Sequence, residues 1–299
     1  MNGNESRYKP HMPPGQSNRV DRHFPGPLAA LGITLGAVFA AGLVAGLFGP
    51  TINFGAIGVG QVVGFGLVAI YATQRIAQPH AERLGLRGFD RDMLPVLVFL
   101  LPSVFLFSEV DNLLRDWFPP VPTGADAEVE SNPLFAPTLY GEIQRFIVIV
   151  GLAPVMEEWL FRGVIQQGLM GNLGRWRGLI LTALLFAVCR IVPGLPPSTL
   201  LSFLLVSFAT GLLLGCVRVA TGSLLAAIVL HTGFNLIGWG AAFYKDSFPI
   251  QGFNVADSHT SFQLLFASLI TTGFALQALI RALKVAPADP PLGGGKADA

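Results

Sequence analysis

Charge is what this sequence is short of. Only 12% of its 299 residues are Asp, Glu, Lys or Arg, about half the roughly 25% of a soluble domain, which is too few to solvate a globule of this size. Net charge is +1 without a polybasic stretch, so nucleic acid is excluded as a partner. The two cysteines, Cys189 and Cys216, sit in apolar runs and form neither a CxxC nor a Cys/His spacing, so inert thiols are expected. No segment alternates apolar and polar residues as a lipid-facing strand would. The polar opening stretch is too long for the n-region of a signal peptide; a flexible tail is expected over 1–27, and a second over 285–299.

Apolar length is what the chain has instead. Hydrophobic residues make up 52% and glycines number 35, a composition suited to helices that approach closely in lipid. A helix rises 1.5 Å per residue and needs about 20 residues to cross the hydrocarbon core. Runs of that order fall near 28–48, 54–74, 93–108, 143–170, 178–192, 200–218, 223–243 and 262–283, the third and fifth being short. The expected fold class is all-α, a polytopic membrane helix bundle of about eight transmembrane helices over 28–284, with the lipid bilayer as its surroundings.

Basic residues set the expected orientation. Arg7, Lys9, Arg19, Arg22, then Arg75, Arg83, Arg87, Arg91, then Arg175, Arg177, Arg218, Arg281, Lys284 and Lys296 fall in alternate connections. The opposite loops hold Arg115 and Lys245, and the loop after the third run is acidic, with Glu109, Asp111, Asp116, Asp126, Glu128 and Glu130. Both termini are therefore expected in the cytoplasm, in a bacterial-type plasma membrane or an internal one. Small-residue spacings (Gly32/Gly36, Gly42/Gly46, Gly60/Gly64, Gly211/Gly215) are read as packing surfaces.

Against this background a few charges stand out. Besides Arg145 near a helix end, Glu157, Glu158, Arg162, Arg190 and His231 fall inside expected spans. Four charges facing lipid would cost on the order of 10 kcal/mol, so they must face one another or a wet cavity. Counted from the cytoplasmic ends, Glu157, Arg162, Arg190, His231 and Asn235 lie roughly 12 to 20 Å deep. Glu158 and Arg162 are four apart and share a helix face, as a structural ion pair would. Glu157 is turned about 100° from Glu158 and is read as the free carboxylate. His231 and Asn235 share a face of the seventh span. With His11, His23, His80 and His259 in tails or loops, a zinc site would lack its usual nitrogen ligands, so no metal or cofactor is expected.

The stretch APVMEEWLFRGVIQQGL (153–169) resembles the first signature of the CAAX-protease and bacteriocin-processing (CPBP) family of intramembrane endopeptidases: paired glutamates with an arginine four residues after the second, here Glu157, Glu158 and Arg162. Its third signature, histidine then asparagine four residues on, is met by His231 and Asn235. The resemblance covers about 142–240. In the second signature Phe186 matches, but Arg190 stands where the family has histidine. The resemblance implies that Glu157 and the residue at 190 prepare a water for attack on a peptide bond, while His231 and Asn235 stabilise the oxyanion. It also implies a peptide or a prenylated, membrane-anchored protein as substrate. Arginine is permanently charged and cannot accept a proton; beside Glu157 it would favour the carboxylate and make it a weaker base. It could still stabilise an oxyanion as a fixed donor. The expectation is an endopeptidase with these six residues at its site; the alternative is a membrane scaffold or peptide-binding protein of the same fold that has lost hydrolysis. A transporter comes third, since paired broken helices in related halves are not evident.

Overall fold

The structure, a computed structural model, describes residues 23–48, 54–119, 138–191, 196–255 and 257–286. Among them the chain forms eight long helical segments and no strand: α1 (Pro27–Gly46), α2 (Phe54–Thr73), α3 (Arg91–Trp117), α4 (139–173), α5 (Arg175–Val188), α6 (Pro197–Thr221), α7 (Leu224–Phe243) and α8 (Phe262–Val285). Six of these, all but α4 and α5, are long and apolar enough to cross a membrane by length and composition. Their outer faces carry exposed Leu28, Phe39, Leu43, Phe266 and Phe274, surface that only lipid covers without cost. The protein is an integral membrane helix bundle.

Two expected spans change on inspection. The third is not short: α3 runs on to Trp117, with a break at Leu101 and Pro102, where proline has no N–H to continue the ladder. Glu109, Asp111 and Asp116 consequently belong to its last turns and not to a loop; Asp126, Glu128 and Glu130 lie outside the described residues. The fifth is short, as its apolar run suggested, but begins three residues earlier and ends four residues earlier. Its 14 residues extend about 21 Å, less than the roughly 30 Å of a hydrocarbon core, so α5 ends inside the bundle and Arg190 lies in the turn just beyond it.

α4 is the central element. Every residue from Leu160 to Met170 is buried, so this stretch faces protein on all sides, the condition under which a membrane helix carries charge. One core cluster on its α1, α2 and α5 side includes Ala37, Phe65, Phe161, Leu169 and Phe186. A second joins α3, α6, α7 and α8 through Leu100, Leu214, Leu230 and Leu279. Gly60 and Gly64 press on α1, where a Cβ would come within 2.6 Å of the Ala41 carbonyl and 2.5 Å of the Ala37 carbonyl. Gly211 and Gly215 press on Phe186 and Leu179 of α5. Gly32, Gly36, Gly42 and Gly46 have nothing within 4 Å of a Cβ, so the packing expected of them is not made among the described residues.

The expected tails are only partly in view. Residues 1–22, which hold Arg7, Lys9, His11, Arg19 and Arg22, lie outside the described residues, as do 287–299 with Lys296. Residues 23–26 are held against α4: Gln167 Nε2 donates to the Phe24 carbonyl at 2.6 Å and Asn172 to that of His23. Basic residues gather at one end of the bundle. Arg175 donates to the Leu283 and Ala286 carbonyls at 2.7 Å each, closing the C-terminus of α8, and Arg87 donates to the Gly222 carbonyl at 3.0 Å.

Candidate active site

The site is built around an irregularity in α4. Pro154 has no N–H, and the turn before it (Phe146–Leu152) widens into a π-helix in which Ala153 N–H reaches back to Val148 O. In that register the Ile149 carbonyl would be served by residue 154, which has nothing to donate. Asn235 of α7 serves it instead, its Nδ2 donating to Ile149 O at 2.8 Å. A second wide turn, Trp159–Ile165, follows the glutamates without a proline to explain it. Such turns are frequent at functional sites.

Between the two wide turns stand Glu157 and Glu158, both buried. Arg162 Nη1 donates to Glu158 Oε1 at 2.6 Å, and both side chains are fully shielded. The same oxygen faces His231 Nδ1 at 2.8 Å. The second nitrogen of Arg162, Nη2, donates to the Gly211 carbonyl at 2.9 Å. Glu158 thus ties α4 to α7, and Arg162 ties α4 to α6. Geometry places the imidazole proton on Nδ1 when the ring is neutral, with Nε2 as the remaining ring nitrogen.

Glu157 is not the free carboxylate expected. Its Oε2 accepts from Arg190 Nη2 at 2.5 Å, with the glutamate side chain 4% and the arginine 38% exposed. Because α5 stops at Val188, the arginine reaches the carboxylate from the turn beyond the helix and keeps part of its guanidinium uncovered. Phe186 joins the two ion pairs. The Arg162 and Arg190 guanidinium carbons lie 4.5 and 5.0 Å from its ring centre, and the His231 ring meets it edge-on at 5.9 Å.

The structure therefore brings together Glu157, Glu158, Arg162, Arg190 and His231 from three helical segments. Asn235, one turn from His231, is occupied by the α4 backbone. Sequence reasoning used Phe186 only as a pattern marker and missed it as the common neighbour of three site residues; cation–π contact is a property of three-dimensional proximity. It also missed the Gly211 carbonyl, whose hint was the glycine spacing in α6. Among the described residues no group of three or more His, Cys, Asp or Glu side chains could hold a metal ion.

Residues 140–237 match the family model described as Type II CAAX prenyl endopeptidase Rce1-like. In this segment the chain is similar to that endopeptidase family. The match covers about a third of the chain, runs from the start of α4 to the middle of α7, and includes every residue named above in the two ion pairs and the His231 contact. No curated protein and no solved structure matches the chain. The matched segment thus coincides with the charged, buried part of the bundle, and the apolar helices around it supply the membrane setting.

Proposed function

We propose that this chain is an intramembrane endopeptidase of the CAAX type, acting on a peptide or a prenylated, membrane-anchored protein. The observation that carries the reading is the pairing of Glu157 with an open-sided partner, beside a fully buried Glu158–Arg162–His231 cluster, inside the CPBP core. Arg190 engages only Oε2 of Glu157, which leaves Oε1 to take a proton from an attacking water. The Glu158–Arg162 pair locks the α4 backbone, and Glu158 orients the His231 ring so that Nε2 is available to the substrate. Protonated, that nitrogen donates to the oxyanion as the carbonyl is attacked; Arg190 supplies a second fixed positive charge nearby. Asn235 holds the wide turn of α4 and thereby the position of Glu157.

A second reading rests on the same 2.5 Å ion pair. If Arg190 keeps Glu157 as a paired anion throughout, the site binds a peptide without cutting it. Purified protein given a set of membrane-anchored peptides distinguishes the two. The expected result is cleavage by the native form that falls at least about 100-fold in Glu157→Gln, the lower end of what a general base contributes. Cleavage only after Arg190→His, with tight peptide binding by the native form, would establish the binding protein instead.

A further inference from the structure

A cavity of about 500 Å³ opens at the basic end of the bundle and is lined by Arg83, Arg87, Arg162, Arg218 and Gln166, with Glu82 as its acidic member. It lies at the level where helices end: Arg218 is in the last turn of α6, and Arg83 and Arg87 are in or just after a one-turn helix, His80–Leu84, between α2 and α3. The segment after that helix is fastened to the α6–α7 turn. Leu224 N–H donates to the Gly85 carbonyl at 2.9 Å, and Ser223 Oγ donates to the Arg87 carbonyl. Gly85 and Gly222 both adopt positive φ, +68° and +63°, and a Cβ on either would collide with the guanidinium of Arg218 or Arg87 respectively. Two backbone positions are thus shaped around two arginines that have no carboxylate partner among the described residues. The Nε atoms of Arg83, Arg162 and Arg218 are buried with no hydrogen-bond acceptor.

Arg83 and Arg218 are half-buried with no counter-charge among the described residues, which is costly, Arg87 is exposed at the rim, and Glu158 already balances Arg162. We infer that this cavity binds the phosphate of an anionic lipid headgroup. A phosphodiester offers several acceptor oxygens to forked donors, and basic pockets between membrane helices at the headgroup level are suited to such lipids. The cavity is distinct from the Glu157–Arg190 pair, and its occupancy does not require the chain to cut peptides.

The test uses the full chain in phosphatidylcholine nanodiscs, with labelled phosphatidylglycerol as the probe and Arg87→Gln and Arg218→Gln as variants. Thermal unfolding in phosphatidylcholine alone verifies that each variant folds. Phosphatidylglycerol is expected to bind at least about tenfold more tightly to the native chain than to either variant, and inorganic phosphate to compete only weakly. Inorganic phosphate competing as strongly as the lipid would overturn the lipid source in favour of a soluble phosphate. Native-strength binding by both variants, or displacement of the probe by unlabelled phosphatidylcholine as readily as by phosphatidylglycerol, would overturn the site itself.

Discussion

Replacing Arg162 by alanine probes the cluster most directly, because that side chain is completely buried and makes an ion pair, a backbone hydrogen bond and a ring contact. The substitution removes the 2.6 Å bond to Glu158, the 2.9 Å bond to the Gly211 carbonyl and the stacking on Phe186 at 4.5 Å. It leaves a fully buried carboxylate whose remaining polar partner among the described residues is His231 Nδ1. Breaking a buried pair from one side costs about 3 to 5 kcal/mol, and a desolvated cation–π contact adds about 2. A net loss of about 5 kcal/mol, the lower end of that sum, is expected. Asn235→Ala removes one interhelical hydrogen bond, about 0.6 to 1.7 kcal/mol in membrane proteins. Thermal unfolding in detergent, followed with a thiol-reactive dye reporting the two partly buried cysteines, compares them. Arg162→Ala should unfold well below Asn235→Ala, and the double variant Glu158→Gln/Arg162→Met should regain most of the loss, since it leaves no unpaired charge. Equal midpoints for Arg162→Ala and Asn235→Ala would refute the assignment of Arg162 as the electrostatic clamp, and a double variant as weak as the single one would refute the unpaired-charge mechanism.

Gly64→Ala and Gly36→Ala form a matched pair: a Cβ at 64 meets the Ala37 carbonyl at 2.5 Å while one at 36 meets nothing. The first should destabilise by about 1 to 3 kcal/mol through overpacking and the second should be neutral or slightly stabilising, measured by the same unfolding assay. Asn235→Asp should be worse than Asn235→Ala, because a carboxylate placed against the Ile149 carbonyl turns a hydrogen bond into repulsion; a midpoint above that of the alanine variant would contradict the structural role given to the amide. At the opposite end from the arginine cavity, the His259 ring touches Glu109 at 2.7 Å and Asp116 at 3.0 Å. Its pKa is raised by the hydrogen bond to Glu109, against some burial, and further by the charges of Glu109 and Asp116. A raised folded-state pKa means that stability from this clasp is fully present below the unfolded value near 6.5 and is lost as pH rises through the higher folded value. Unfolding midpoints should therefore decline over that window in the native chain and decline less in His259→Gln.

Composition and run length made the membrane bundle legible because lipid imposes one strong rule on backbone and side chain alike. The i,i+4 spacing made the Glu158–Arg162 pair legible for the same reason: it follows from helix periodicity alone. What sequence could not show is where helices stop. The apolar run around 178–192 continues through Val188, Cys189, Ile191 and Val192, and nothing before Pro193 forbids one more helical turn. The structure ends α5 at Val188, and the consequence is chemical: Arg190 moves from mid-helix to an open end where it can turn onto Glu157. The partner of His231 was equally invisible. Residues 157 and 158 differ by one step of rotation around α4, and only packing decides which carboxylate faces α7.

The short fifth helix also explains how an arginine is tolerated at the position where the family has histidine. Placed mid-helix among apolar neighbours, Arg190 would need all of its donors satisfied by protein, at the cost of a buried charge with one acidic partner. At the end of α5 it meets Glu157 with one nitrogen, rests near Phe186, and keeps 38% of its side chain exposed. The partner of that ion pair is held from elsewhere: Glu157 stays in place because Pro154 and Asn235 fix the wide turn before it and the Glu158–Arg162–His231 cluster fixes the turn after it. Arg190→His is therefore expected to leave the fold intact, since a smaller ring at a partly open position disturbs none of those contacts. If that variant instead unfolded as readily as Arg162→Ala, Arg190 would belong to the clamp that holds α5 in the bundle, and its proposed place beside the reacting carbonyl would have to be given up.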